Sequence, residues 1–142
     1  MKIYNGKNMI LGRLAAVVAK QALLGEEVHV INSEKIIISG KKENTYAREK
    51  HRRDRTGYPL TKPNYSRLPD RFVRRVIRGM LPFKQARGRE AFKRVMCHVG
   101  IPAQFEGKET ENTEFATANK LPTLKFTTIN DICKNLGGKV QE

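Results

Sequence analysis

Cysteine is scarce in this 142-residue chain: there are two, Cys97 and Cys133, and no CxxC pair. That argues against a disulfide framework or a zinc ribbon and fits a reduced, intracellular compartment. The three histidines, His29, His51 and His98, follow no metal-ligand spacing, so no metal site is expected. No phosphate-cradling loop occurs. Gly6 and Gly12 flank the first strand-to-helix connection, but GKNMILGR fits neither GxGxxG nor GxxxxGK[ST], and Met9, Ile10 and Leu11 would crowd a pyrophosphate. Gly12 is instead expected to let helix pack closely on sheet. Long apolar runs are missing as well: MILGRLAAVVAKQALL, residues 9–24, is broken by Arg13, Lys20 and Gln21 and reads as a buried helix, not a signal peptide or membrane span. Cys97-His98 suggests a nucleophile and base, but helical neighbours point about 100° apart and do not meet. No carboxylate pair has a spacing suited to acid–base work. No cofactor, small-molecule substrate or membrane partner is therefore expected.

Acid is also in short supply, and its shortage is local. The chain carries 28 Lys and Arg against 14 Asp and Glu, a net charge of +14. Residues 41–94 hold 18 of the basic and 5 of the acidic side chains, whereas the other 88 residues hold 10 and 9. A merely soluble surface would mix the signs. A continuous block of this kind is the footprint of a polyanion binder, because clustered Lys and Arg displace counterions condensed on phosphates. Within the block, Glu43, Glu49, Asp54, Asp70 and Glu90 are expected to act as local counter-ions or helix-terminus charges.

The pattern along the chain alternates strand and helix. KIYN at 2–5 is extended and Asn5-Gly6 turns into LGRLAAVVAKQALL, which stops at Gly25. VHVIN at 28–32 and IIIS at 36–39 are β-branched runs expected in a sheet buried on both faces. KKENTYAREKHRRD continues as a polar helix. TGYPLTKPNYSRLP, 56–69, with three prolines and a glycine, reads as an extended loop, and residues 50–68 are expected to be mobile until RNA orders them. ARGREAFKRVMCHVG, 86–100, has Ala91, Phe92, Val95, Met96 and Val99 on one side and is expected to be helical throughout. Residues 103–120 read as irregular and acidic. LKFTTI at 124–129 reads as a last strand, and Asn130 as the cap of a short helix, DICKNL. The whole is an α/β layer fold with right-handed crossovers where strands are parallel.

RFVRRVIRGMLP, residues 71–82, concentrates both trends. At about 100° per residue, Arg71, Arg74, Arg75 and Arg78 fall within roughly a 100° arc, and Phe72, Val73, Val76, Ile77 and Met80 occupy the opposite face. The apolar stripe is expected to pack on a core, leaving the arginines for a partner outside the chain. There is no RNP1 stretch, GxxG clamp, C2H2 spacing or basic zipper, and the arginine face runs beyond one recognition helix. A broad footprint suits folded RNA, read through shape, phosphates and 2′-hydroxyls. Tyr46, Tyr58 and Tyr65 either stack on exposed nucleotides or anchor loops.

The strings LGRLAAVVAKQALLG, VHVINSEKIIISG, RRVIRGMLPFKQARGREAFKRV and VGIP, in this order over about residues 2–105, closely resemble the universal large-subunit ribosomal protein family numbered thirteen, L-thirteen. RGMLP followed by KxxRG is its most specific part; the tail after 105 carries little. The arginines ahead of RGMLP and the KQARG after it resemble the archaeal and eukaryotic branch, and the short C-terminus favours the archaeal type. Asn5-Gly6 departs from the Asp-Ala frequent in the family. The resemblance implies a three-layer α/β/α fold with a small, mainly parallel sheet of about four strands and a basic helix-loop extension, in a single domain over 1–142. It implies a non-catalytic, cytoplasmic constituent of the ribosome that binds large-subunit rRNA beside neighbouring ribosomal proteins and supports rRNA folding and assembly. Carried onto this sequence, its RNA-facing candidates are Arg71, Arg74, Arg75, Arg78, Lys84, Arg87 and Arg89. Arg48, Lys50, Arg52, Arg53 and Arg55 join them on charge alone. The competing readings are a nucleotide-binding α/β enzyme and a duplex-DNA binder.

Overall fold

A computed structural model describes residues 1–54, 65–111 and 113–139. Arg55, Tyr58 and most of the Pro-rich loop lie outside the described residues. The fold is of mixed α/β class. Strand β1 (Lys2–Asn5) leads through helix α1 (Leu11–Leu23) to β2 (Val28–Ile31), and the two strands pair in parallel, Lys2 opposite Val28 through Asn5 opposite Ile31. In α1 the buried residues are Leu11, Leu14, Ala15, Val18, Ala19 and Ala22, an unbroken i, i+3, i+4 stripe, and Gly25 takes φ +100° just past its end.

The expected helix over 86–100 divides. Helix α4 covers Ala86–Lys93, and Val95–Cys97 form a strand, β4 in chain order, parallel to β2 with Val28 opposite Val95 and Val30 opposite Cys97. Val95 and Cys97 are buried and Met96 is exposed, a period of two that the helical spacing of Val95, Met96 and Val99 concealed. The edge of β2 needed partners: the Val28 N–H donates to the Arg94 carbonyl at 3.0 Å, and the His98 N–H donates to the Val30 carbonyl at 2.8 Å.

Strand β3 (Ile37–Ser39) does not join that sheet. It pairs antiparallel with β5 (Phe126–Thr128), while α2 (Lys42–Asp54) and α5 (Ile129–Asn135) pack beside the pair. The cap of α5 is Thr128, whose hydroxyl accepts from the Asp131 N–H at 3.2 Å, and not Asn130. Thr128 has the extended backbone a cap requires, and Ile129 is already buried as the first helical residue.

Helix α3 (Pro69–Met80) packs against α1, β4 and α5, with Pro69 in its first turn, Asp70 beside it, and Phe72, Val73 and Ile77 buried. Met80, read as core, is 43% exposed. The main core gathers Tyr4, Val28, Val30, Val95 and Cys97 from the parallel sheet with the buried stripes of α1, α3 and α5. A smaller cluster of Ile3, Ile31 and Phe105 lies apart from it.

The close approach expected at Gly12 occurs at other glycines. Gly12 is exposed, and a Cβ there would meet nothing within 4 Å, so it serves no helix–sheet approach. Close packing falls to Gly6, where a Cβ would stand 2.6 Å from Ile36 Cγ1, and to Gly88 in α4, where it would fall on the Pro82 carbonyl. Gly88→Ala is therefore expected to destabilise the fold by about 1–3 kcal/mol, since backbone must move to admit the methyl. Gly12→Ala should leave stability unchanged or slightly raised. Thermal melts of the two variants check this, and equal melting temperatures would remove the argument for contact at Gly88.

Candidate nucleic-acid interface

The chain turns at Leu81-Pro82 and folds α4 back across the end of α3, an approach that requires Gly88 to lie against Pro82. This turn has a chemical consequence. Phe83 and Phe92 meet edge to face, with centroids 5.5 Å apart and planes at 88°. The Arg78 guanidinium lies over Phe83, 5.2 Å from its centroid, and the Arg74 guanidinium over Phe92, at 4.5 Å. On the same helix Arg75 lies 3.9 Å from the centroid of Tyr65. Each ring thus holds a guanidinium group by its face, a contact that uses the cation's charge and not its N–H donors.

Arg74, Arg75 and Arg78 are therefore half-buried, and Arg71 is exposed. Together with Ser66 and Phe92 they line a groove of about 480 Å³. Within it the Arg74 Nε is buried with no hydrogen-bond partner among the described residues, an uncommon state for a charged donor. A groove with several fixed guanidinium forks is suited to phosphate oxygens, which accept bidentate bonds.

The remaining sequence candidates divide. Lys84, Arg87 and Arg89 are exposed on the turn and on α4, where Arg87 Nε donates to Gln85 Oε1 at 3.0 Å. On α2, Lys50 is exposed, and Arg48 and Arg52 both donate to Oε1 of the buried Glu49, at 3.0 and 3.1 Å. Glu49 is thus the local counter-ion expected of it. Arg53 donates to the Leu136 carbonyl and ties α2 to the end of α5. Arg55 lies outside the described residues. Sequence reasoning missed Phe83 as a guanidinium support; Phe92, read on the apolar side of its helix, does pack against the core and also carries Arg74. The available signal was an aromatic residue just past Pro82 inside a basic block.

Among the described residues no group of three His, Cys, Asp or Glu could hold a metal, and no helix is long and apolar enough to cross a membrane. Burial pushes the thiols of Cys97 and Cys133 up to about 12, which leaves them protonated and inert as nucleophiles.

The sequence profile of the family described as Ribosomal protein L13 matches residues 1–104. Among similar proteins, one described as large ribosomal subunit protein uL13 from Methanosphaera stadtmanae is 42% identical over 140 residues, spanning 96% of this chain and 97% of its own. Another so described, from Methanopyrus kandleri, is 44% identical over 137 residues, 95% of this chain and 86% of its own. A third, from Methanococcoides burtonii, is 40% identical over 139 residues, 98% and 99% of the two chains.

Away from the arginine groove, titratable groups pair with each other. His29 Nδ1 on β2 and His98 Nε2 just past β4 lie 3.2 Å apart, and Phe105 packs on both rings. Burial is the main cause that lowers both from the ordinary histidine value; for His29 the nearby His98 and Lys108 add to it. Glu27 beside His29 and Asp70 toward His98 oppose the shift without reversing it. A lowered folded-state value means the unfolded chain binds the proton more readily, so stability is full above the unfolded value near 6.5 and declines as pH falls through it. The urea midpoint should drop between pH 7.5 and pH 5.5, and His98→Gln should flatten that dependence. A midpoint insensitive to pH in the native chain would contradict the pairing.

Proposed function

Because the chain belongs to the ribosomal protein L13 family, whose members are structural and not enzymatic constituents of the large ribosomal subunit, we propose that its arginine groove is the surface that grips large-subunit rRNA. The observation that carries this reading is the set of guanidinium groups held on Phe83, Phe92 and Tyr65 along one side of α3, with the buried Arg74 Nε unanswered among the described residues. Phosphate oxygens are the acceptors that such forks fit. Arg71, Arg74, Arg75 and Arg78 form the centre of the contact, Lys84, Arg87 and Arg89 extend it over α4, and Lys50, Arg48 and Arg52 extend it over α2. Arg53, tied to Leu136, contributes through the placement of α2. Arg55 belongs to the same set on charge alone. Residues 1–142 work as one unit in this reading, the scaffold and the basic block together, with other large-subunit proteins as neighbours in the cytoplasmic ribosome. Neither a nucleotide-binding enzyme nor a duplex-DNA reader is favoured.

The test separates charge from packing. Arg71→Ala, at an exposed position, should leave the melting temperature unchanged. It should weaken rRNA binding and make the slope of log K against log salt shallower by roughly 0.7–0.9 per lost phosphate contact. Arg74→Ala should do the same and also lower stability by about 0.5–2 kcal/mol, since its contact with Phe92 is lost. Filter binding across a salt series, with duplex DNA as competitor, provides the readout. An unchanged salt slope in both variants would place the RNA contact elsewhere.

A further inference from the structure

A second cavity, of about 460 Å³, adjoins the arginine groove between the start of α1, β3, α2 and α3. Part of its wall is apolar: Leu11, Ile37 and Phe72 are buried and Val76 is half-buried. Its rim is cationic, with Arg48, Arg52 and Arg75. Glu49, itself buried, also lines it, and since both α2 guanidinium groups bond to Oε1, Oε2 stays outside those two bonds. Ser66 and Arg75 line this cavity and the arginine groove alike, so a strand lying in one has the other within reach of a single residue of its length.

We propose that this cavity receives one unstacked nucleobase of the RNA strand that crosses the arginine groove, with preference for bases that carry an exocyclic amino group. The inference rests on the RNA-binding reading above and adds a base-selective site to it. Several features converge. Apolar walls suit the two faces of a base, and the volume lies in the range of small-molecule sites, about 300–1,000 Å³. Tyr65, whose ring already supports Arg75, supplies an aromatic face for stacking, and the rim arginines stand where the sugar-phosphate of an extruded nucleotide would pass. Glu49 accepts from Arg48 and Arg52 through Oε1, and Oε2 is the carboxylate oxygen outside those two bonds, an acceptor that an amino group can meet. Cytosine offers it the N4 amino group; uracil sets an O4 acceptor at the same edge and meets repulsion instead. An apolar side chain from a protein neighbour would bring no donor to Oε2.

The experiment uses the full chain and two fluorescent oligonucleotides, octacytidine and octauridine, which differ at that edge of the base. Fluorescence anisotropy should show the first binding at least about fivefold tighter than the second, as expected for one specific base contact. Gly79 lines the cavity from α3, and a Cβ there meets nothing within 4 Å, so Gly79→Leu fills the space at a position where leucine also favours helix. This variant should keep its melting temperature and its octauridine affinity, and bind the two oligonucleotides equally. Gly12→Leu, entering from α1, repeats the test if the first variant folds poorly. Glu49→Gln should narrow the ratio, because its amide can donate to O4. Equal affinities in the native chain, or a preference that survives both filled variants, would overturn the proposal. So would a Gly79→Leu chain that binds both oligonucleotides as before but no longer co-sediments with large subunits, since the cavity would then take a protein side chain. If the native chain binds rRNA with its full salt slope and shows no preference, the base site alone fails; if it binds neither rRNA nor oligonucleotide, the reading of the arginine groove fails with it.

Discussion

The two-faced helix α3 is the constraint on which the rest of the molecule depends. Phe72, Val73 and Ile77 are buried against α1, β4 and α5, so the helix cannot rotate without exposing them. Burying an aliphatic or aromatic side chain of this size contributes about 1.5–3 kcal/mol each, which is large against a total stability of about 5–15 kcal/mol. The same rigid body carries Arg71, Arg74, Arg75 and Arg78. Their spacing is therefore set by helix geometry and held by the core, not by the arginines themselves, which would repel one another if left to choose their positions.

Aromatic support is the second element, and it modifies how the basic surface works. A long guanidinium side chain in water loses up to about 2 kcal/mol of rotamer freedom on being fixed. Arg74, Arg75 and Arg78 already lie on rings in the free chain, so part of that ordering precedes contact with a ligand. The rings come from three places: Tyr65 ahead of α3, Phe83 in the turn, and Phe92 on α4. Phe83 and Phe92 meet because Gly88 admits Pro82 against its backbone. One missing side chain in α4 thereby organises cations one helix away.

On α2 the logic differs. Its buried Glu49 neutralises part of the charge of Arg48 and Arg52, and Arg53 is engaged with the carbonyl end of α5. Exposed ion pairs of this type contribute little to stability, but here the carboxylate is buried and orders two guanidinium groups around one point. The basic block is thus two surfaces: a groove of ring-supported arginines on α3, and a carboxylate-centred cluster on α2 that meets it across Arg75. The opposite end of the charge spectrum, the acidic segment after residue 103, contributes Glu111 to Tyr4 and Lys2, at 3.0 and 3.5 Å, and so closes over β1.

Helical periodicity alone determined α1 and α3, because their apolar stripes repeat at 3.6 residues over three turns and are ended by Gly25 and Pro82. The charge block and the two faces of RFVRRVIRGMLP were legible for the same reason: they depend on spacing along one helix. Tertiary structure decided what local pattern leaves degenerate. Val95–Cys97 fits a helix as well as a strand over so short a run, and the unpaired edge of β2 made the choice. IIIS reads as a strand in either sheet, and its partner Phe126–Thr128 lies far along the chain. The role of Gly12 and that of Gly88 could not be told apart in sequence, since what a glycine spares is a collision with residues that only folding brings near. The supports beneath the arginines were hidden likewise: Phe83 and Phe92 meet through a reversal of the chain, and a ring's hold on a guanidinium depends on distance in space, which periodicity does not encode.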